Sequence, residues 1–254
     1  MVFACLKGSG EDIIVKTALI FCFVLEAGRI AAAQELSLPP QMEFDGPKGG
    51  RKAGPGEAEW SLEIMARWHL MDRDTGDPGD VKRWNNVFSY GFGAQIELAH
   101  VVPIGSSWSL GGYVAPGLTF FQGKTVADPA SGIETRFDDW RVIPFTVGPK
   151  AKLALGSDFF AEAYGGLGFA WYSAVDSSSV GVTTPFVESS LAFAWEVGAR
   201  IGVMFDYHDS LLGFVLGVGF EGWGAPEVDR MRFPGFRPRS LGNVTIDFGL
   251  WSSF

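Results

Sequence analysis

Nine charged residues carry most of the chemistry this chain can offer: Glu63, Arg67, Glu97, Lys150, Glu162, Glu196, Arg200, Glu221 and Asp247. Each sits inside a run where apolar and polar residues otherwise alternate, as in SLEIMARWHL (61–70) and AWEVGARIG (194–202). In an extended chain that alternation puts the charges on one face and the bulky apolar groups on the other. Carboxylates on a shared face can do acid–base work, whereas carboxylates mixed with arginine and lysine make ion pairs. The mixture here predicts an ion network in which Lys150 and Arg200 hold the carboxylates. Such a network reads either as a gate or proton-sensitive plug, or as a structural plug that keeps an interior polar and watertight. A hydrolase does not follow, because the sequence offers substrate no evident route in.

Other constellations are weaker. YHDS (207–210) places His208, Asp209 and Ser210 side by side, but in a short turn, where sequence neighbours point apart. His69 has Asp72 and Asp74 close behind it, in DRDTGDPGD (72–80). Several carboxylate oxygens there would suit Ca²⁺. The fifth place is glycine, however, and no distal Glu follows, so the stretch reads as a solvated acidic turn. RMRFPGFRPR (230–239) gathers Arg230, Arg232, Arg237 and Arg239 around two phenylalanines. Guanidinium suits phosphate, which makes this a candidate loop for lipid phosphates or a partner. No cofactor motif is present. Both cysteines, Cys5 and Cys22, lie near the N-terminus, so the rest of the chain has neither a disulfide framework nor a cysteine metal site.

The elements that must position these groups come from a repeating period of two. Eight segments show it, centred on 60–70, 88–98, 108–120, 143–153, 159–171, 191–203, 212–221 and 244–250. A period of two held for about ten residues is a strand signal. Counted from one end of these strands, Glu63, Glu97, Lys150, Glu162 and Arg200 fall at similar depth, and Arg67, Glu196, Glu221 and Asp247 lie further along.

Which face is buried decides the class. An eight-stranded barrel has an interior just wide enough to be filled by side chains. The apolar parity carries too many Trp, Phe, Leu and Ile to fit there. The opposite parity is rich in glycine, alanine and serine with a few charges, and suits a cramped interior. The bulky face therefore looks outward, and only lipid accommodates it. Connections agree: 71–87, 122–138, 173–190 and 224–240 are long, and 101–107, 154–158 and 206–210 are short. Aromatics fall where two interfaces belong, with Trp60, Trp108, Phe159, Phe205, Phe214 and Phe254 at one level. Trp68, Phe88, Phe120, Trp171, Phe193 and Phe220 mark the other. The prediction is an all-β, eight-stranded antiparallel up-and-down transmembrane β-barrel over residues 58–254, with short periplasmic turns and long extracellular loops.

The ends of the chain fit that reading. Lys16 followed by TALIFCFVL (17–25), then Ala31-Ala32-Ala33, reads as an export signal over residues 1–33, cleaved before Gln34. Acidic Glu11 and Asp12 are unusual in such a signal and read residues 1–14 as an upstream extension. Residues 34–57 form a Pro/Gly-rich periplasmic tether. The net charge of −9 excludes nucleic acid as a partner, because phosphate binding needs a basic face.

The last residues, VTIDFGLWSSF (244–254), resemble the C-terminal signal by which outer-membrane proteins are recognised by the barrel-assembly machinery. Asp247, Gly249 and Phe254 match that pattern; Ser252 stands where a hydrophobic residue is usual. With glycine-rich strands such as AYGGLGFAW (163–171), the chain resembles the small eight-stranded outer-membrane barrels typified by OmpA and OmpX. The resemblance implies an outer-membrane location beside lipid, lipopolysaccharide included, and an interior salt-bridge cluster. Expected roles are a non-enzymatic part in envelope integrity or surface interaction, a narrow channel for ions or small hydrophobic solutes, or a lipid-modifying enzyme. Barrel enzymes of the last kind place a histidine near the outer leaflet with a serine, and no His-x-Ser-Asn stretch is found here.

Overall fold

A computed structural model describes residues 58–71, 84–128, 131–207, 210–229 and 240–254. The signal, the tether, the acidic stretch 72–80, His208 and Asp209, and the four arginines of 230–239 lie outside the described residues.

Eight long strands close on themselves: β1 (Glu59–Met71), β2 (Phe88–Pro103), β3 (Trp108–Gly123), β6 (Trp140–Ala154), β7 (Phe159–Tyr172), β10 (Ser190–Tyr207), β11 (Ser210–Trp223) and β12 (Leu241–Ser253). Each pairs antiparallel with its sequence neighbours around the ring, and β1 pairs with β12. In hydrocarbon an open edge would leave backbone donors and acceptors unsatisfied. The seam is continuous, from Ser61 opposite Ser253 to Met71 opposite Asn243. At its end the Phe254 N–H donates to the Trp60 carbonyl at 3.0 Å. The C-terminal aromatic thus finishes the ring beside the first strand.

Burial follows the parity argument. Leu167, Leu191, Ile201, Leu216, Val218 and Phe220 face outward and are more than half exposed, whereas Glu63, Glu97, Arg200 and Asp247 face inward and are buried. The barrel is inside out relative to a water-soluble one. An exposed apolar belt of this size around a charged interior is stable only where acyl chains cover the belt.

Phe88 departs from expectation. Strict alternation would turn it outward into the aromatic girdle, yet it is fully buried. The register between β2 and β3 shifts between Phe88 and Gly91, so β2 holds one extra residue there. One inserted residue reverses the facing of everything beyond it.

Two further hairpins continue past the barrel at the end opposite the turns 104–107 and 155–158. Strand β4 (Thr125–Ala127) follows β3, and β5 (Glu134–Phe137) leads into β6. Strands β8 (Val175–Ser179) and β9 (Val182–Val187) stand between β7 and β10. Together they form a four-stranded sheet in the order β4-β5-β8-β9. Val180 and Gly181, both at positive φ (50° and 77°), make the tight turn between β8 and β9. A single helical turn, α1 (Trp84–Val87), precedes β2.

Candidate functional site: a filled lumen

The inward parity brings all nine charged residues together along the axis, in two layers separated by tyrosines. Nearest the turns, Lys152 pairs with Glu59 at 2.6 Å and lies over the Trp251 ring at 4.2 Å. Met65, Phe160, Val215 and Trp251 pack into an apolar plug at that end.

Above the plug lies the first ionic layer. Lys150 Nζ donates to Glu63 Oε1 and, at 2.7 Å, to Glu97 Oε1. Glu162 Oε2 stands 2.9 Å from the same ammonium. Arg200 Nη1 donates to Glu97 Oε2 at 2.7 Å and to Glu63 Oε2 at 3.1 Å. The guanidinium also lies 4.0 Å from the centre of the Tyr164 ring. Glycine opposite makes this arrangement fit: a Cβ on Gly217, Arg200's cross-strand neighbour, would come within 2.5 Å of Arg200 Cγ. The glycines of the inward parity are thus the space into which long polar side chains fold.

Tyr113 and Tyr164 form the next level, edge to face with ring centres 5.9 Å apart. Tyr113 donates to Glu196 Oε1 at 2.9 Å and Tyr164 to Asp247 Oδ2 at 3.1 Å. Both carboxylates belong to the second ionic layer, built around Arg67. Its Nε donates to Asp247 Oδ1 at 2.8 Å and its Nη1 to Glu196 Oε2 at 2.9 Å. Glu221 Oε2 is 3.5 Å away. Thr146 donates to Glu196, and Asn243 donates to Glu221 Oε1 at 3.0 Å. Arg200 Nε reaches Asp247 at 3.4 Å and joins the two layers. Charges taken out of water are tolerated only when paired and hydrogen-bonded in this way.

His69 also turns inward, away from any acidic loop. Its Nδ1 is 2.5 Å from Glu221 Oε1 and its Nε2 is 3.0 Å from Thr119 Oγ1. A hydroxyl, an imidazole and a carboxylate in that order match the connectivity of a nucleophilic triad. Here Thr119 is 2% exposed and His69 1%, and the rings of Phe121 and Trp223 lie 5.9 Å and 5.8 Å from the imidazole. A carbonyl in the lipid or in water cannot reach Thr119 Oγ1 through that packing. A fluorophosphonate probe is therefore expected to leave Thr119 unmodified in the folded barrel. Mass-spectrometric detection of a Thr119 adduct that disappears in His69→Gln would reverse this conclusion.

The lumen ends in an apolar cap. Phe88, Phe121, Trp140, Tyr172 and Trp223 converge from the barrel wall with Phe137 and Phe186 from the loop sheet. Trp140 stacks on Phe88 at 5.1 Å and on Trp84 at 5.2 Å. Among the described residues, no set of His, Cys, Asp and Glu is placed to hold a metal ion.

Sequence reasoning missed the roles of His69, Thr119, Thr146 and Asn243, and the cap itself. The signal for the two tyrosines was present: Tyr113 and Tyr164 stand on the inward parity of their strands among glycines such as Gly111, Gly117, Gly166 and Gly168.

These features define a class: a closed eight-stranded transmembrane barrel, whose lumen is occupied from one end to the other by ion pairs between two apolar plugs. That is the architecture of the small eight-stranded outer-membrane barrels. No protein-family model and no curated protein matches the chain. Among solved structures it is similar to Ail, the attachment invasion locus protein of Yersinia pestis, in complex with the heparin analogue sucrose octasulfate. That similarity is 17% identity over 78% of this chain and 99% of that one, with a TM-score of 0.36. It is similar also to Neisserial surface protein A, at 10% identity over 78% of this chain and 99% of that one, with a TM-score of 0.37.

Proposed function

We propose that this protein is a non-enzymatic, non-conducting outer-membrane barrel that contributes to envelope integrity and carries an outward-facing sheet for surface interaction. The observation that supports this reading is the filled lumen. Two ionic layers and two apolar plugs succeed one another along the axis, so water and ions have no continuous path. Buried salt bridges of this kind serve here as a polar filling that a small barrel can pack, rather than as a gate. The narrow-channel alternative requires both plugs and both layers to part together, which costs many paired contacts at once. The ends of the barrel support the surface role. Short turns lie at one end, and β4, β5, β8 and β9 extend the wall at the other, where they are available to the outside. Arg230, Arg232, Arg237 and Arg239, between β11 and β12 in the sequence, are the groups proposed for contact with lipid phosphates. Export through residues 1–33 and recognition of Asp247, Gly249 and Phe254 by the assembly machinery belong to the same proposal.

Two measurements test it. In planar bilayers the purified barrel should give no conductance steps, and regular openings would support the channel instead. Val180→Cys, at the tip of β8–β9, should react with a membrane-impermeant maleimide on intact cells. Labelling only after the outer membrane is broken would reverse the orientation.

A further inference from the structure

Arg141 stands apart from the other charges of the barrel. Among the described residues of the eight barrel strands, the outward parity carries no Lys, Arg, Asp or Glu except this one, the second residue of β6. It is exposed, and it lies at the loop end, opposite Phe120 of β3. A cation on the lipid face is strongly disfavoured at the hydrocarbon midplane and costs little at the level of the headgroups. The guanidinium carbon is 5.8 Å from the centre of the Phe120 ring, within the range of a cation–π contact. No carboxylate among the described residues pairs with it. Asp139, two residues earlier, instead accepts a hydrogen bond from the Gly123 N–H at 3.1 Å. The charge is thus placed where headgroups lie, and the protein supplies it no counter-ion.

A second donor stands beside it. Ser173, just past the end of β7, faces Arg141 across the ladder, and its N–H donates to the Arg141 carbonyl at 2.9 Å. Ser173 Oγ in turn accepts the Arg141 N–H at 3.2 Å. Its own hydroxyl proton has no acceptor among the described residues. Residues directly opposite each other in a sheet share a face, so guanidinium and hydroxyl are presented together. Towards the middle of the membrane that face is apolar. Ile143 opposes Trp171, and Phe145 opposes Phe169, with the two phenyl rings stacked at 5.3 Å. Phe120, Ile143, Phe169 and Trp171 are all exposed.

We propose that Arg141 and Ser173 hold the phosphate of one anionic membrane lipid, whose acyl chains lie along Phe120, Ile143, Phe145, Phe169 and Trp171. A guanidinium meets phosphate oxygens through two parallel hydrogen bonds, and the serine hydroxyl adds a third donor. A zwitterionic lipid carries its own ammonium beside the phosphate and so competes less well for an unpaired cation. The site depends on the lipid-facing parity and not on the closed lumen. It is separate in sequence from Arg230, Arg232, Arg237 and Arg239. At the turn end the outward parity offers Trp60, Trp108 and Phe159 without a charge, so headgroup recognition of this kind belongs to the loop end alone.

The test uses the chain folded in micelles that hold equal amounts of phosphatidic acid and phosphatidylcholine with the same acyl chains, released for native mass spectrometry. Wild type should retain a single phosphatidic acid in preference to phosphatidylcholine. Arg141→Gln should lower that preference about fivefold, the worth of one basic group at a membrane surface. Arg141 is exposed and lies outside both ionic layers, so this variant keeps the heat-modifiable gel shift of a closed barrel. Arg136→Gln, which removes an exposed cation of β5 in the loop sheet, should leave the preference unchanged. An equal fall in both variants overturns the site, because net charge alone would then account for the binding. So does an Arg141→Gln barrel that selects lipid as wild type does. Inorganic phosphate in molar excess should not displace the lipid, since it makes no acyl contact. Displacement would reduce the site to a plain anion site and overturn the lipid as its occupant. All of these barrels should be silent in planar bilayers, so a failed lipid preference would leave the closed-lumen reading standing.

Discussion

Arg200→Met is expected to destabilise the folded barrel by about 3–5 kcal/mol, the range found when one partner of a buried ion pair is removed. The guanidinium contacts Glu63, Glu97 and Asp247 and lies over Tyr164. Methionine matches much of its volume but leaves Lys150 alone with three carboxylates. The loss comes chiefly from stranding those carboxylates, not from forfeiting the worth of the pairs themselves. That distinction is testable within the same protein. Adding Glu97→Gln to Arg200→Met removes one stranded charge and should restore part of the loss, giving a coupling of about 1–3 kcal/mol in a double-mutant cycle. Urea unfolding from vesicles, followed by the shift between unboiled and boiled gel bands, reads both values. An Arg200→Met barrel as stable as wild type would mean that water reaches the layer and solvates its carboxylates, and the filled-lumen reading would be lost with it.

The parts of this fold legible in the sequence are those governed by the two-residue period. The eight barrel strands and the inward facing of the charges follow from alternation alone, because a strand cannot turn Trp195 and Glu196 to the same side. The common depth of Glu63, Glu97, Lys150, Glu162 and Arg200 was also readable, since strand registers in a closed antiparallel ring leave little freedom. What alternation cannot show is where it breaks. The bulge that turns Phe88 inward is a single extra residue with no compositional mark. The strands β4, β5, β8 and β9 are three to six residues long and rich in Ser and Thr, and such short pieces acquire their structure from pairing across hairpins rather than from their own propensity. His69 misled for a related reason. Its nearest acidic residues in the sequence are Asp72 and Asp74, whereas its partner in space, Glu221, comes from a strand 152 positions away.

The cap offers the second large effect. Trp140→Ala should cost about 3–5 kcal/mol, as burying no ring where a fully buried tryptophan stood leaves a cavity the neighbours only partly fill. Trp140 is fully buried and touches Phe88, Trp84, Tyr172 and Phe121, which come from β2, α1, β7 and β3. Its removal should be felt where those elements meet, at the loop end, while the ionic layers below keep the strands closed. The expected result is therefore local. The segment 173–190 becomes open to added protease by about a hundredfold or more, in keeping with 1.36 kcal/mol per tenfold, while the unboiled barrel keeps its gel mobility and still conducts no ions. Trp171→Ala is the control, because that residue sits on the lipid-facing parity and is 40% exposed. It should leave protease sensitivity of 173–190 near the wild-type level. Equal sensitivity in the two variants would mean that the aromatic cluster is not what holds the loop sheet to the barrel. Conductance in Trp140→Ala alone would mean that the cap, and not the charge layers beneath it, is what closes the lumen.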